Sequence, residues 1–354
     1  MLASLRLLSG KSGLPRILVI KLRYLGDVLL STPVVASLRA AFPGAFLSML
    51  VNPGTEAMIT DNPHLDEVLV LQRSASPLRQ LRFALALRRH RFDLVIDLTD
   101  ADRAAILSRI TGAPIRVGFN REGRWRGRLY THVVPVQQQP IPMIRQHLMA
   151  LDTLGMPIVE SRPSLWVRPD DETAAEAALA EIEIGPGERF VAVHPGARWW
   201  FKSWPSERFA GLIDYVQGKL GVKVALLGGD QDRGIAEAIL GQLGTDGRSL
   251  VGRLGHLGLA ALLRRATLFV GNDNGPMHIA AAMGTPVIGL FGPSDPRVWG
   301  PVGEGHAVIY KGVDCQGCFP GGCQRGEANC MRLIEIHEVI PLVEEQLARK
   351  GMVG

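Results

Sequence analysis

VGNDNGPMHIAAAMGTPVIGLFGPSDP, residues 270–296, holds strand, tight loop, helix, strand and loop in one run. Residues 268–270 end a short apolar strand. Pro276 suits a first helical position, where its missing N–H costs nothing and its φ is already helical. Gly271 and Gly275 are expected to let the loop take backbone angles that side chains resist, leaving the first N–H groups of the helix turned outward as an anion site. Asn272, Asp273 and Asn274 are candidates to cap or coordinate there, and His278 falls in the first turn. Gly284 stops the helix and Pro286 keeps it stopped. Residues 287–291 have the length and branching of a buried parallel strand, and GPSDP makes a second loop at the same edge of the sheet. Loops at the carboxyl ends of parallel strands are where α/β sheets bind ligands.

The same alternation extends to both ends of the chain. RILVIK, residues 16–21, is a compact apolar strand, and the loop LRYLGD after it contains one glycine, Gly26. A dinucleotide fingerprint needs three glycines at this turn, which disfavours a nicotinamide-binding domain here. Thr32-Pro33 reads as N-cap and first position of a helix to about Ala41, placing Asp27 just before or within its first turn. Strands follow at 45–51, 67–71 and 93–98, with helices after Gly54, over 77–90, from about 101 and over 143–154; the last carries Arg145 and His147 early. Between 155 and 187 an Ala/Glu helix framed by prolines and glycines marks a boundary. Strands at 190–194 and 223–227 and helices at 206–220 and 257–266 lead back to the opening stretch, and residues 333–350 form an amphipathic helix. Two alternating series separated by a linker predict two parallel-sheet domains with helices on both faces of each.

The chain has 354 residues, 47% of them hydrophobic, so two ordinary cores are the better expectation than one. No run of about eighteen apolar residues occurs, and the opening residues are too charged for a signal peptide; a cytoplasmic protein is expected. The formal charge of +5 favours an anionic partner. Fourteen arginines stand against five acids between Arg73 and Arg145, so the excess lies in the first half, and arginine suits bidentate phosphate contacts. Arg121, Arg124, Arg126 and Arg128 share one loop, REGRWRGR, and are expected to bind phosphates or anionic lipid. Aromatic residues are not interleaved with this basic region as single-strand binding demands, so no nucleic acid is expected. The four cysteines, Cys315, Cys318, Cys323 and Cys330, lie in one segment. Their spacing begins like a zinc knuckle, and a cytoplasmic chain keeps thiols reduced, so a structural metal site is an alternative to free thiols.

His194-Pro195-Gly196-Ala197, Lys202-Ser203-Trp204-Pro205, the 270–296 block, and Gly26-Asp27 with Thr32-Pro33 occur in an order that resembles the ADP-heptose:lipopolysaccharide heptosyltransferases of glycosyltransferase family nine. The resemblance runs from about residue 16 to about 345. It implies the GT-B architecture, two Rossmann-like parallel-sheet domains facing a cleft: an acceptor-binding domain over 1–165, a nucleotide-sugar-binding domain over 166–331, and a C-terminal helix over 332–354 packing back on the first. It also implies an inverting transfer of heptose from ADP-heptose to the inner core of lipopolysaccharide, with a lipid A-core oligosaccharide as acceptor, peripheral contact with the inner membrane and no obligatory cofactor or metal. The alternatives are a nucleotide-sugar epimerase of the same architecture and a transferase of another nucleotide-activated sugar.

Such a transfer needs a stabilised pyrophosphate, a positioned acceptor and a base for its hydroxyl. Asp273, Asn274 and Gly275 at the helix start supply backbone donors, and Lys202 supplies charge. By resemblance, Lys202 and His278 contact the phosphates, Gly196 belongs to the donor-side segment, and Asp230 of the Gly-Gly-Asp loop is directed to the ribose. Thr or Ser often stands in the family where this chain has Asn274. Asp27 is the expected base: a carboxylate near a helix N-terminus is favoured in its charged form, and the family places its proposed base at the aspartate of this Gly-Asp segment. An isolated Gly-Asp would equally suit a cap or an Asx turn.

Overall fold

The computed structural model describes residues 14–71, 76–315, 318 and 322–351. Arg73 lies outside them. Two compact units divide the chain between Trp166 and Val167.

In the first unit, β1 (Arg16–Lys21), β2 (Phe46–Val51), β3 (Glu67–Val70), β4 (Leu94–Asp97), β5 (Ile115–Gly118) and β6 (His132–Val133) form one sheet in the order β3-β2-β1-β4-β5-β6. Every pairing is parallel. Strands covered on both faces read as continuous apolar runs rather than alternating ones, and Ile17, Leu18, Val19 and Ile20 of β1 are all wholly buried. Leu18, Ile20, Leu50 and Val95 pack with Leu87, Phe92 and Ala104 in one cluster of this core. From β1 the chain moves to β2 and β3 on one side, then crosses to β4 on the other. The carboxyl ends of β1 and β4 therefore flank the switch in strand order, where such sheets hold ligands.

The second unit repeats the plan with β7 (Phe190–His194), β8 (Lys223–Leu226), β9 (Leu268–Asn272), β10 (Val287–Phe291) and β11 (Ala307–Tyr310), in the parallel order β11-β10-β9-β7-β8. Its switch lies between β7 and β9. Wholly buried Trp204 meets Phe209 edge to face, ring centroids 4.9 Å apart, and its indole N–H donates to Ile334 O at 2.8 Å, satisfying the one polar atom of a large buried side chain. The last helix, Ile336–Gly351, buries Val339, Val343 and Leu347 in the core of the second unit, where that apolar stripe covers β9, β10 and β11.

The central helix runs Gly275–Ala282, starting one residue before Pro276, with Asn274 as N-cap. Gly284 has φ +79° and ends it as expected. The two glycines of the preceding loop differ from expectation, since neither Gly271 nor Gly275 has a positive φ. Gly271 is required by close approach instead: a Cβ there would lie 2.8 Å from His194 O and 2.9 Å from the Phe269 ring. Thr32 also departs from its expected role. It is the first residue of the helix Thr32–Ala41 rather than its cap, and its hydroxyl donates back to Leu29 O at 2.9 Å. Among the described residues no helix is long and apolar enough to cross a membrane.

Candidate active site

At the carboxyl edge of the second sheet, two loops are tied together by asparagines. Asn272, at the end of β9 and wholly buried, donates through Nδ2 to Pro195 O at 2.7 Å and accepts Trp204 N–H through Oδ1 at 3.0 Å. Asn274 accepts Met277 N–H at 3.1 Å as the helix cap and donates to Gly196 O at 2.8 Å, with His194 Nδ1 3.1 Å away. The loops after β7 and β9 are thereby fixed against each other. Gly196 itself faces the Asp232 carboxylate so closely that a Cβ would lie 2.3 Å from Oδ1. Asp232 accepts Gly229 N–H at 2.9 Å and stands 3.8 Å from His194 Nε2. Burial pushes the His194 imidazole below its ordinary pKa, and the Asp232 charge opposes that shift.

Lys202 ends a short 3-10 turn after β7 and meets Asp273 Oδ2 at 2.5 Å, with side chains only 13% and 8% exposed. A lysine and an aspartate from two loops thus stand beside the start of the Gly275–Ala282 helix. His278 is buried in the first turn of that helix. The structure brings Gly196, Lys202, Asp273, Asn274, Gly275 and His278 to one edge of this sheet. Asp230 is at the same edge, after β8, but its carboxylate is 78% exposed and engaged by Arg233 at 2.6 Å.

The first unit holds Asp27 in a separate five-residue helix, Leu25–Leu29, distinct from Thr32–Ala41. The electrostatic partner of Asp27 is therefore not the start of a long helix. It is Lys21, the last residue of β1, with Nζ at 3.2 Å from Oδ1. Lys21 is 2% exposed and donates also to Leu98 O at 2.9 Å and to His147 Nε2 at 2.8 Å. His147, on the helix Met143–Asp152, completes the chain by donating Nδ1–H to Leu30 O at 3.0 Å. That bond fixes the tautomer, leaving Nε2 as acceptor for the lysine. Burial depresses the Lys21 pKa and Asp27 counteracts it; burial, then the Lys21 charge, holds His147 well below its ordinary value. Beside this network, Asp97 at the end of β4 accepts the Tyr130 hydroxyl at 2.6 Å and Thr99 N–H at 2.8 Å, and burial raises its carboxyl to about 6.

The four loop arginines separate into different roles. Arg126 is 2% exposed and bound to Asp100 at 2.8 Å, Asp102 at 3.1 Å and Glu122 at 3.3 Å, so the expectation that it contacts acceptor is corrected. Its guanidinium ties this loop to the segment after β4. Arg121 is 39% exposed beside Asp100 at 3.5 Å, and its charge is felt by both Asp27 and Lys21. Arg124 and Arg128 are exposed.

Sequence reasoning assigns no role to Lys21 or His147. The one signal for Lys21 is a lysine ending a buried apolar strand; the histidine 126 residues later carries none. Cys315, Cys318, Cys323 and Cys330 are free thiols, and burial pushes those of Cys318 and Cys330 up. Among the described residues no group of three or more His, Cys, Asp or Glu side chains could hold a metal ion.

The family model described as glycosyltransferase family 9 (heptosyltransferase) matches residues 80–328. Lipopolysaccharide heptosyltransferase 3 of Escherichia coli is 30% identical over 303 residues, covering 82% of this chain and 87% of the relative. A solved family 9 glycosyltransferase from Veillonella parvula superposes with a TM-score of 0.82 at 24% identity, covering 95% and 97% of the two chains. An E. coli heptosyltransferase solved with ADP has a TM-score of 0.70 at 22% identity, covering 94% and 99%.

Proposed function

The chain belongs to glycosyltransferase family 9, the heptosyltransferases, and from that premise we propose how its two loop sets divide the reaction. The enzyme transfers heptose from ADP-heptose to the core of lipopolysaccharide. The second unit takes the donor. Backbone N–H groups at the start of the Gly275–Ala282 helix, with Lys202 and His278, receive the pyrophosphate, and Gly196 keeps the neighbouring loop free of a side chain. Asp230 reaches the ribose by exchanging its solvent-exposed pair with Arg233. As the bond to the sugar breaks, charge builds on the departing ADP, and the Lys202 ammonium stabilises it there more than in the ground state.

The first unit takes the acceptor. Asp27 accepts the proton of the attacking hydroxyl, and a single displacement inverts the anomeric centre. Lys21 holds the carboxylate in place from behind. Arg121, with Arg124 and Arg128 at the loop surface, receives acceptor phosphates. Because lipid A is anchored in a bilayer, the enzyme works at the inner membrane surface as a peripheral protein of the cytoplasm, and no metal is required. The observation that carries this reading is the Lys21–Asp27 pair at the carboxyl end of β1, the switch point of the first sheet.

The test is incubation with ADP-heptose and a panel of truncated core acceptors, read by mass spectrometry. Gain of one heptose on one acceptor is expected, and Asp27→Asn should abolish the gain while ADP-heptose still binds. Transfer by the variant at the wild-type rate would remove Asp27 from the mechanism.

A further inference from the structure

The helix Pro77–Arg89 rests on the first core through Leu87, which is buried, and Phe83, which is half-buried. Its outer side is unusual for a surface helix. Leu78, Leu81 and Leu85 are 55%, 56% and 46% exposed. Spaced by three and four residues, they form one row within a sector of about 60°. Arg82 and Arg89 border this row on one side and Arg88 on the other, with Arg79 beyond Arg82; all four are exposed. The helix contains no acid, and among the described residues none of these four arginines pairs with a carboxylate.

A row of leucines between unpaired cations has a specific complement. An aqueous face gains nothing from the leucines, and a nucleic acid gains nothing from them either. A second copy of the same helix would bring four more arginines and no counter-charge. An anionic bilayer satisfies both halves: apolar side chains enter the boundary between headgroups and acyl chains while guanidinium groups meet lipid phosphates. We propose that Pro77–Arg89 is the face by which this protein docks, lying flat, on an anionic lipid surface. The proposal rests on the reading that the acceptor is held in a membrane, and it adds the surface that makes the contact.

The experiment is co-sedimentation of the full chain with phosphatidylglycerol–phosphatidylethanolamine vesicles and with neutral phosphatidylcholine vesicles. Wild type should bind the anionic vesicles, less so at high salt. The triple variant Leu78→Ser, Leu81→Ser, Leu85→Ser should partition at least about tenfold more weakly at an unchanged Tm. Replacing Arg79, Arg82, Arg88 and Arg89 by Gln should weaken binding by roughly fivefold per residue. A Leu81→Trp variant, which keeps the apolar row, should show a blue-shifted emission on anionic vesicles. Transfer to a water-soluble truncated acceptor should be unaffected by the serine variant, whereas transfer to acceptor embedded in vesicles should fall.

Each contrary outcome has a separate meaning. Wild-type binding by the serine and glutamine variants, with no emission shift from the Leu81→Trp variant, would overturn this surface and leave membrane association standing. No vesicle binding by wild type would overturn both. Self-association that the serine variant abolishes, without vesicle binding, would assign the face to a second copy and overturn the proposal.

Discussion

Arg126 carries its charge inward, and that decides what its removal does. Arg126→Ala leaves Asp100, Asp102 and Glu122 without their shared cation. Two of the three reach solvent, so the loss should sit near the low end for breaking a buried pair, about 3 kcal/mol, measured by urea denaturation. Arg121→Ala should change stability by less than about 0.5 kcal/mol and instead raise the acceptor KM. Asp27→Asn preserves shape but not basicity, so single-turnover kcat should fall by about 10²–10⁴ while ADP affinity holds. His147 gives a pH signature. Burial and Lys21 depress its pKa, so the folded protein keeps it neutral while the unfolded chain takes up a proton below about pH 6.5. Its stabilising contribution is therefore complete above that pH and is lost as pH falls, by up to about 1.4 kcal/mol per pH unit. His147→Gln can still accept from Lys21 and donate to Leu30, and it should flatten this slope, leaving the parts due to His194 and His306, whose shifts have the same sign, and the opposing part due to Asp97.

At the scale of elements, Asn274 is the informative position, because one amide caps a helix and ties down the loop after β7. Asn274→Ser keeps an oxygen for Met277 N–H but loses the Nδ2 donation to Gly196 O. Stability should fall by less than the roughly 1 kcal/mol of a lost cap, whereas ADP affinity should fall more than stability does, measured by calorimetry. Elements of this kind are legible where periodicity is long or punctuated. RILVIK and residues 287–291 form β1 and β10 at the expected residues because an apolar run bounded by Gly, Pro or charge has few alternatives in an α/β chain. β5, β6 and β11 are not legible in this way: β6 has two residues, the apolar run of β5 is interrupted by Arg116, and β11 is an edge strand half-exposed along its length. Gly271 matters for a different cause than its loop suggests, since sequence marks a glycine but not the carbonyl that will press against it. The contact between Lys21 and His147 exists only once the sheet is closed.

For the whole molecule, the division of labour between units predicts where a ligand will be felt. ADP should slow amide exchange in residues 195–203 and 272–278 of the second unit and leave residues 115–133 of the first unchanged, read by mass spectrometry of peptides. Equal protection in both would contradict the assignment of the nucleotide to one sheet. At 100 times its Kd, ADP should add about 2.7 kcal/mol to the stability of the unit that holds it.

The burial of Val339, Val343 and Leu347 in the second core has a bearing on biosynthesis. The described core of the first unit is drawn from residues before Trp166. The second cannot cover β9, β10 and β11 until Leu347 has been added, roughly 180 residues later, which at typical ribosomal speeds is an interval of roughly 10–35 s. During that interval the ribosome carries one half whose described core has been made and one whose apolar sheet is uncovered. The nascent second half is thus the segment on which a chaperone would act, and a stop codon just before the last helix would leave it permanently in that state.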